Sequence, residues 1–175
     1  MPQKGLIIRE EVPVDIPAIR KVNERAFNQP QEAGIVDELR KKCAGLLSLV
    51  AEDDGVIIGH VLFSPVTVAA DPGGVIGMGL APMAVVPQRQ REGVGSVLVV
   101  RGLELLKAKR CPFVVVLGHA DYYPRFGFVP ASTFGIKCQW EGVPDDVFMA
   151  LVFSDEILKK INGVVRYRRE FDATM

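Results

Sequence analysis

The 175-residue chain lacks a long apolar run and an excess of either charge, and both absences narrow its function. No stretch approaches the ~18 uninterrupted apolar residues of a membrane-spanning helix. The short apolar run near the N-terminus is also too brief for a signal peptide. The 21 Lys and Arg residues equal the 21 Asp and Glu residues in number, which argues against a coat for nucleic acid or an anionic membrane. We therefore expect neither nucleic acid nor a membrane as a partner.

Cysteine is scarce as well, and its pattern gives no framework for a metal site or a disulfide. The three residues Cys43, Cys111 and Cys138 are an odd number without metal-ligand spacing. Because the spacing offers no ligand set, we expect no metal ion. Reduced thiols are typical of cytoplasmic proteins, so we expect a cytoplasmic location. The chain also shows no repeat, no low-complexity tract and no long linker, and its length allows a substantial core. The sequence therefore predicts one domain over residues 1–175.

Hydrophobic periodicity predicts the element order β-α-α-β-β-β-α-β-α-β-β, which is a mixed α/β arrangement. Asp15 is a candidate N-cap of the first helix, and Asp54-Gly55 is typical of the tight turn in a β-hairpin. Residues 71–74 (DPGG) predict a further turn, and residues 155–161 a short helical piece. The last strand, interpreted as residues 164–171 (VVRYRREF), has an exposed edge that is a candidate for homodimer formation by strand addition.

The stretch "QRQREGVGSVLVV", residues 88–100, places two glycines where a helix begins. Each of Gly93 and Gly95 costs ~1 kcal/mol against alanine inside a helix. A helix start offers unpaired amide groups and the positive end of the helix dipole, and glycine leaves those amides open to a phosphate. The alternative is that both glycines only form a tight turn. The spacing matches no nucleoside triphosphate loop, and Leu98 stands where a dinucleotide fingerprint needs a small residue.

Two longer segments resemble the core motifs of the GNAT (Gcn5-related) N-acetyltransferase family. The segment "MAVVPQRQREGVGSVLV" (83–99) carries the loop motif, and "VVVLGHADYYPRFGFVP" (114–130) carries the Tyr-x-x-x-Gly-Phe motif. The segments "EAGIVDELR", "GHVLFS" and "VRYRREF" are similar to the YhbS-like bacterial branch, so the resemblance covers nearly the whole chain. It implies an α/β fold with a mixed, mostly antiparallel central sheet. The sheet would be splayed between its two core strands, with helices on both faces.

The resemblance also implies acetyl-CoA as the cosubstrate and places its binding groups. Main-chain groups of one strand would pair with the pantetheine arm as though it were a further strand, and loop amides would hold the pyrophosphate. Arg89 or Arg91 would meet the 3′-phosphate. The strand residues are Ala84, Val85 and Val86, and the loop residues are Arg91, Glu92, Gly93, Val94, Gly95 and Ser96.

The family's reaction is direct acetyl transfer to an amine, with Tyr123 aligned to the general acid that protonates the departing thiolate. The alternative role for Tyr123 is aromatic packing beside Phe126 and Phe128, which Tyr122 could serve instead. No cysteine lies in either motif, so a covalent cysteine intermediate is disfavoured. The implied activity is an N-acetyltransferase acting on a primary amine of a small molecule or peptide. The competing function is a CoA-binding sensor or interaction module without turnover.

The general base and the acceptor are not identified by the motifs. His60 lies in an apolar run and is expected to be a packed core histidine, whereas His119 could orient the loop or assist proton removal. Glu52 could act through water. The segments "FNQPQEAG" and "CQWEGVPDD" correspond to acceptor loops in the family. The acidic side chains of the second segment either attract a cationic amine or are merely solvated.

Overall fold

The computed structural model describes residues 5–69, 74–157 and 159–174. The strands are β1 Leu6–Glu10, β2 Leu47–Asp53, β3 Val56–Val68, β4 Ile76–Val85, β5 Phe113–Leu117, β6 Val129–Pro130, β7 Ile136–Cys138, β8 Phe148–Val152 and β9 Gly163–Arg166. The helices are α1 Ile16–Phe27, α2 Gln31–Lys42 and α3 Val94–Ala108. The predicted mixed α/β class is confirmed.

Within the described residues the strands form one nine-stranded sheet in the order β1-β2-β3-β4-β5-β8-β6, with β9 paired to both β3 and β7. Most of the pairs whose register is described are antiparallel, while β4 with β5 and β7 with β9 are parallel. The chain divides into two compact units, residues up to Phe63 with Pro82–Leu105, and Ser64–Ala81 with Leu106–Ala173. Strands β3 and β4 each contribute residues to both units.

The first unit contains a hairpin whose turn follows from two residues. Asp54 and Gly55 adopt φ values of +48° and +80°, which are the paired positive angles of a type I′ turn. The turn joins β2 to β3 in antiparallel register, with Asp53 opposite Val56. The hairpin predicted from Asp54-Gly55 is therefore confirmed.

Helices cover both faces of β3 in this first unit. A methyl group on Gly59 would lie 3.0 Å from Leu98 Cδ1 and 3.1 Å from Val94 Cγ1, so this face packs against α3. The next residue, His60, points to the other face because side chains alternate along a strand, and it contacts Asn23 of α1. The predicted arrangement of helices on both faces holds for this strand.

The second unit is built around β5, an apolar strand whose first four residues are buried. It pairs in parallel with β4 from Met78–Val114 to Leu80–Val116, and in antiparallel register with β8 on its other side. Burial on both faces explains the continuous apolar run "FVVVL", which is typical of such strands.

Two expectations about the last strand are wrong: where it ends, and that its edge is exposed. The last strand ends at Arg166, and Arg169–Thr174 form a 3₁₀ helix. Strand β9 pairs with β3 on one side and β7 on the other, so the edge expected to support homodimer formation is not exposed. Asp15 occupies the N-cap position of α1, as expected, but its side chain makes no capping hydrogen bond there. Its carboxylate accepts hydrogen bonds from Arg9 and from the amide of Val12.

Two smaller expectations fall partly outside the described residues. The turn predicted at 71–74 includes three residues that the structure does not describe. Of the helical piece predicted at 155–161, the described part has one 3₁₀ turn, Asp155–Ile157. No helix in the described ranges is both long enough and apolar enough to cross a membrane.

The packing of α3 on β3 makes Gly102 a sensitive position. A methyl group there would overlap the ring of Phe63. We expect Gly102→Ala to lower the free energy of unfolding by about 1–2 kcal/mol, since the overpacking outweighs the helix propensity of alanine. Gly34→Ala in α2 is the matched control, because its methyl group would meet nothing within 4 Å. It should stabilise by up to ~1 kcal/mol in urea denaturation. Equal effects of the two changes would contradict this packing.

Candidate functional site

The predicted phosphate loop connects β4 to α3 in the first unit. After a 3₁₀ turn at Pro87–Arg89, Arg91 and Gly93 adopt φ values of +62° and +89°. The amide of Val97 donates to the carbonyl of Gly93 at 3.1 Å, which is a first-turn bond of α3. The amides at the start of a helix have no partner within it. A methyl group on Gly93 would meet nothing within 4 Å, so the backbone here is open to a ligand.

Side-chain contacts hold this loop to the end of β2. Arg89 donates from Nη1 to Asp53 Oδ2 at 2.6 Å and from Nε to Glu92 Oε2 at 2.7 Å. Gln90 Nε2 donates to the carbonyl oxygen of Val85 at 2.9 Å. Arg91 is exposed and has no ion-pair partner among the described residues. Of the two arginines expected at a 3′-phosphate, Arg91 is thus the one whose charge is not already engaged.

The main chain predicted to pair with pantetheine is buried and partly engaged. Val86 N–H donates to Ile58 O at 2.9 Å, and the carbonyl of Val85 already accepts from Gln90. Ala84 is 1% exposed. The described ladder between β4 and β5 ends at the pair Leu80–Val116, although β4 continues to Val85. The last residues of β4 are therefore not paired with β5 in that ladder. Such a gap in pairing is what a splay between the two core strands requires.

Tyr123 is fixed in the second unit by its neighbours. Its ring packs edge-on against Tyr122 at 5.0 Å and Phe128 at 5.8 Å between centroids. A methyl group on Gly118 would overlap this ring, so the glycine is needed for the close approach. Burial raises the pKa of the Tyr123 phenol, and Tyr122 raises it further. The phenol is therefore neutral and protonated at physiological pH.

The two neighbouring tyrosines differ in surroundings. Tyr122 is half-buried and carries the Arg125 guanidinium 4.6 Å from its ring centroid, a cation–π contact. Arg125 Nε also donates to the Tyr122 carbonyl at 2.9 Å. Tyr123 is 6% exposed and makes aromatic contacts on several sides. Both rings therefore take part in the aromatic packing that is the alternative role for Tyr123.

The candidate bases are arranged for other roles. The ring of His119 is exposed, and its carbonyl accepts from the amides of Tyr122 and Tyr123 at 3.1 and 3.4 Å. It therefore holds the turn that carries Tyr123. Glu52 accepts a hydrogen bond from Arg9 at 2.9 Å and is ion-paired. The acidic residues of the segment "CQWEGVPDD" are exposed: Glu141, Asp145 and Asp146.

His60 is a core histidine, as expected, and is fully buried. Asn23 Nδ2 donates to both Ile19 O at 3.0 Å and His60 Nδ1 at 3.1 Å, which assigns the proton of the neutral ring to Nε2. His60 Nε2 then donates to Ser48 Oγ at 2.9 Å. Burial lowers the pKa of His60 to about 4.

The chain of hydrogen bonds continues from Ser48 to a half-buried ion pair. Ser48 Oγ donates to Glu11 Oε2, and Arg40 donates to both oxygens of that carboxylate at 2.8 and 3.0 Å. Burial acts to raise the pKa of Glu11, but the bonds from Arg40 and Ser48 lower it overall. No local pattern in the sequence indicates these partners, which lie 12 to 37 positions apart.

The thiols show no sign of activation. Cys43, Cys111 and Cys138 are half-buried and form no disulfide with one another. Burial raises the pKa of Cys111 to about 11 and raises the pKa of Cys138 as well. A raised pKa opposes the thiolate form that a nucleophile needs. Across the described ranges, no group of three or more His, Cys, Asp or Glu residues is placed to hold a metal ion.

Comparison with known proteins finds relatives over most of the chain. Residues 8–131 match the family model for the acetyltransferase (GNAT) domain. The chain is 36% identical over 168 residues to the uncharacterized N-acetyltransferase YhbS of Escherichia coli K12, which covers 95% of this chain and 99% of that protein.

Solved structures agree with the sequence relatives. The crystal structure of Escherichia coli YhbS in complex with CoA matches with a TM-score of 0.89 at 35% identity, covering 97% of this chain and 93% of that one. A GNAT family acetyltransferase from Brucella melitensis, in complex with acetyl-CoA, matches with a TM-score of 0.77 at 37% identity. That match covers 95% of this chain and 98% of the other. The fold expected from the resemblance is confirmed.

The buried histidine predicts a pH dependence of stability. Because the folded state lowers the pKa of His60 from 6.5 to about 4, its contribution is complete above pH 6.5 and is lost as the pH falls toward 4. Protonating it among Glu11, Arg40, Ser48 and Asn23 should cost up to about 3 kcal/mol. Urea denaturation at pH 7 and pH 4.5 measures the loss.

The control is His60→Gln, which removes the titrating ring and leaves Glu11 in place. The wild type should lose more stability than this variant between the two pH values. Parallel pH profiles would show that the His60 ring is not the titrating group.

Proposed function

The chain belongs to the GNAT family and is an N-acetyltransferase, and from this we propose that it transfers acetyl from acetyl-CoA directly to a primary amine. The observation that carries the proposal is Gly93, which stands with φ +89° and open space beside it where α3 begins. A helix start with bare amides suits a pyrophosphate. The relatives from Escherichia coli and Brucella melitensis, solved with CoA and acetyl-CoA, support the same ligand.

In this proposal the first unit binds the cosubstrate. The loop amides hold the pyrophosphate, with Arg91 as the cation for the 3′-phosphate. Arg89 acts instead as a brace, since it is held by Asp53 and Glu92. Main-chain groups of β4 pair with the pantetheine arm. The proposed set is Ala84, Val85, Val86, Arg91, Glu92, Gly93, Val94, Gly95 and Ser96.

Acetyl-CoA supplies a thioester whose carbonyl carbon the amine attacks, so that an amide bond forms and the carbon–sulfur bond breaks. Tyr123 is the proposed general acid that gives its proton to the departing sulfur. Its raised pKa keeps the phenol protonated before transfer. No covalent enzyme intermediate is required, and the raised thiol pKa of Cys111 and Cys138 favours direct transfer.

The proposal treats residues 1–175 as one acetyltransferase domain. Strands β3 and β4 contribute residues to both compact units, which supports this boundary. We also place the protein in the cytoplasm, where the thiols of Cys43, Cys111 and Cys138 would stay reduced.

Gly93→Asp tests the loop. The added carboxylate would stand beside the proposed pyrophosphate, and like charges a few ångströms apart repel by about 1–4 kcal/mol. We expect acetyl-CoA affinity to fall at least tenfold in isothermal titration calorimetry.

Two controls separate charge from backbone strain. Gly93→Asn places a side chain at the same positive φ without the charge. Gly142→Asp adds the charge at another open glycine, with φ +76°. Affinity should rank wild type and Gly142→Asp first, then Gly93→Asn, then Gly93→Asp. An unchanged affinity in Gly93→Asp would remove this loop from the phosphate site.

Tyr123→Phe tests the proton donor. It keeps the aromatic packing but deletes the hydroxyl, so the melting temperature and acetyl-CoA affinity should change little. We expect kcat to fall roughly 10²–10⁴-fold, as for the loss of a general acid. Steady-state rates with an accepted amine measure the loss.

Tyr122→Phe is the matched control and should reduce kcat much less. A Tyr123→Phe enzyme with normal turnover would mean that solvent protonates the thiolate. A protein that binds acetyl-CoA but acetylates no amine in a broad screen would instead be a CoA-binding module.

A further inference from the structure

A cleft of about 390 Å³ lies in the second unit, apart from the residues assigned above. Its lining comes from β3 and from the segment that runs from the end of β9 into the final 3₁₀ helix, and Thr67 of β3 is the ladder partner of Arg166. The lining residues are Pro65, Thr67, Arg166, Tyr167, Arg168 and Arg169.

The cleft carries an excess of positive charge. Arg168 donates from Nη2 to Glu170 Oε1 at 3.1 Å. Arg166 is exposed and has no ion-pair partner among the described residues. Arg169 is also exposed, and its charge helps to lower the pKa of the neighbouring Glu170 carboxyl. Three guanidinium groups therefore line this space, and the Glu170 carboxylate interacts with two of them. Guanidinium groups of this kind bind carboxylate and phosphate oxygens in preference to neutral groups.

Tyr167 is the buried residue of this lining. Its ring is 8% exposed and packs against Trp140 at 5.2 Å and Phe171 at 5.6 Å. Its hydroxyl is buried and has no hydrogen-bond partner within the described part of the chain. A buried hydroxyl without a partner is costly, and an oxygen of a bound anion would supply the missing acceptor.

The packing also links this residue to Tyr123. The Tyr167 ring lies against Gly79 of β4, whose ladder partner on β5 is Val115. Just beyond the end of β5, Gly118 lies against the ring of Tyr123. The two tyrosines thus pack on Gly79 of β4 and on the glycine that follows the neighbouring strand β5. Burial raises the pKa of Tyr167, and Cys138 and Tyr123 raise it further, which agrees with this proximity.

We propose that this cleft binds a carboxylate or phosphate carried by the acceptor, so that the substrates are amines that bear an anionic group. The inference rests on the proposed acetyl transfer and names its substrate class. The anion would be held by Arg166, Arg169 and the Tyr167 hydroxyl, with the amine directed toward Tyr123. Amino acids, peptides with a free C-terminus and amino-sugar phosphates share this chemistry.

The first test compares matched amines that differ only in the anionic group. Amino acids are assayed against their amides, and amino sugars against their 6-phosphates, at saturating acetyl-CoA. We expect kcat/KM to be at least tenfold higher for the anionic member, through a lower KM. In the double variant Arg166→Gln/Arg169→Gln this preference should fall below threefold, with the KM for acetyl-CoA unchanged. Arg166→Lys/Arg169→Lys should retain most of the preference.

The control is Arg101→Gln/Lys107→Gln, which removes the same two charges from α3. It should leave the preference intact. Acetylation of neutral and anionic amines with equal kcat/KM would overturn the inference while leaving the proposed function standing. Binding of acetyl-CoA without acetylation of any amine would contradict both.

A second test uses inorganic phosphate and does not depend on turnover. Protein saturated with CoA, so that the loop of the first unit is filled, is titrated with phosphate and followed by phosphorus NMR. Binding should be lost in Arg166→Gln/Arg169→Gln and kept in the α3 control. Tyr167→Phe should weaken phosphate binding without lowering the melting temperature, because the hydroxyl has no partner in the described residues. Phosphate binding that is equal in all variants would refute the cleft as an anion site.

Discussion

The geometry of the helix-start loop depends on the contact between Arg89 and Asp53. An ion pair that is partly open to solvent contributes little to stability, so the effect of this pair is to position the loop. It fastens the segment after β4 to the end of β2, and the second bond to Glu92 holds the loop from within. With Arg89 occupied, the loop can present the open backbone at Gly93 and keep Arg91 as its unengaged cation.

A buried chain of polar groups has a comparable role on the other face of the sheet. It links His60 of β3 to Ser48 of β2, to Asn23 of α1, and through Glu11 to Arg40 of α2. A buried network of this kind specifies one packing arrangement, because each displaced member leaves a polar group unsatisfied. The buried, neutral state of His60 is therefore explained by the packing of helices on strands. No catalytic role is needed to account for it.

The parts of the fold that sequence could predict are those encoded by neighbouring residues. The hairpin followed from Asp54-Gly55, and the start of α3 from the glycines that precede its apolar face. The errors arose where distant groups decide the outcome. The Asp15 carboxylate pairs with Arg9 instead of making a capping hydrogen bond to α1, and β9 stops at Arg166 between two partner strands. The Arg89 brace was equally hidden, since Asp53 lies 36 positions away.

The candidate site was predictable only to the level of motifs. The sequence identified Tyr123 and the loop glycines as a resemblance, but it could not rank Arg89 against Arg91. Tyr167 lies in a segment that carries the resemblance, but the resemblance assigned it no role, and its surroundings come from Trp140, Phe171 and Gly79. Such surroundings are a property of packing, and no local spacing encodes them.

Burial gives Tyr123 and Tyr167 the same electrostatic character. Desolvation disfavours the phenolate, so both hydroxyls remain donors across the physiological pH range. A pair of neutral donors can stabilise negative charge but cannot remove a proton from an ammonium group. In the proposed reaction the phenols therefore act on the leaving sulfur and on an acceptor's anion. The amine must then lose its proton to water. An anionic group on the acceptor would suit this arrangement, because the cleft could bind that group and leave the reacting nitrogen without a contact.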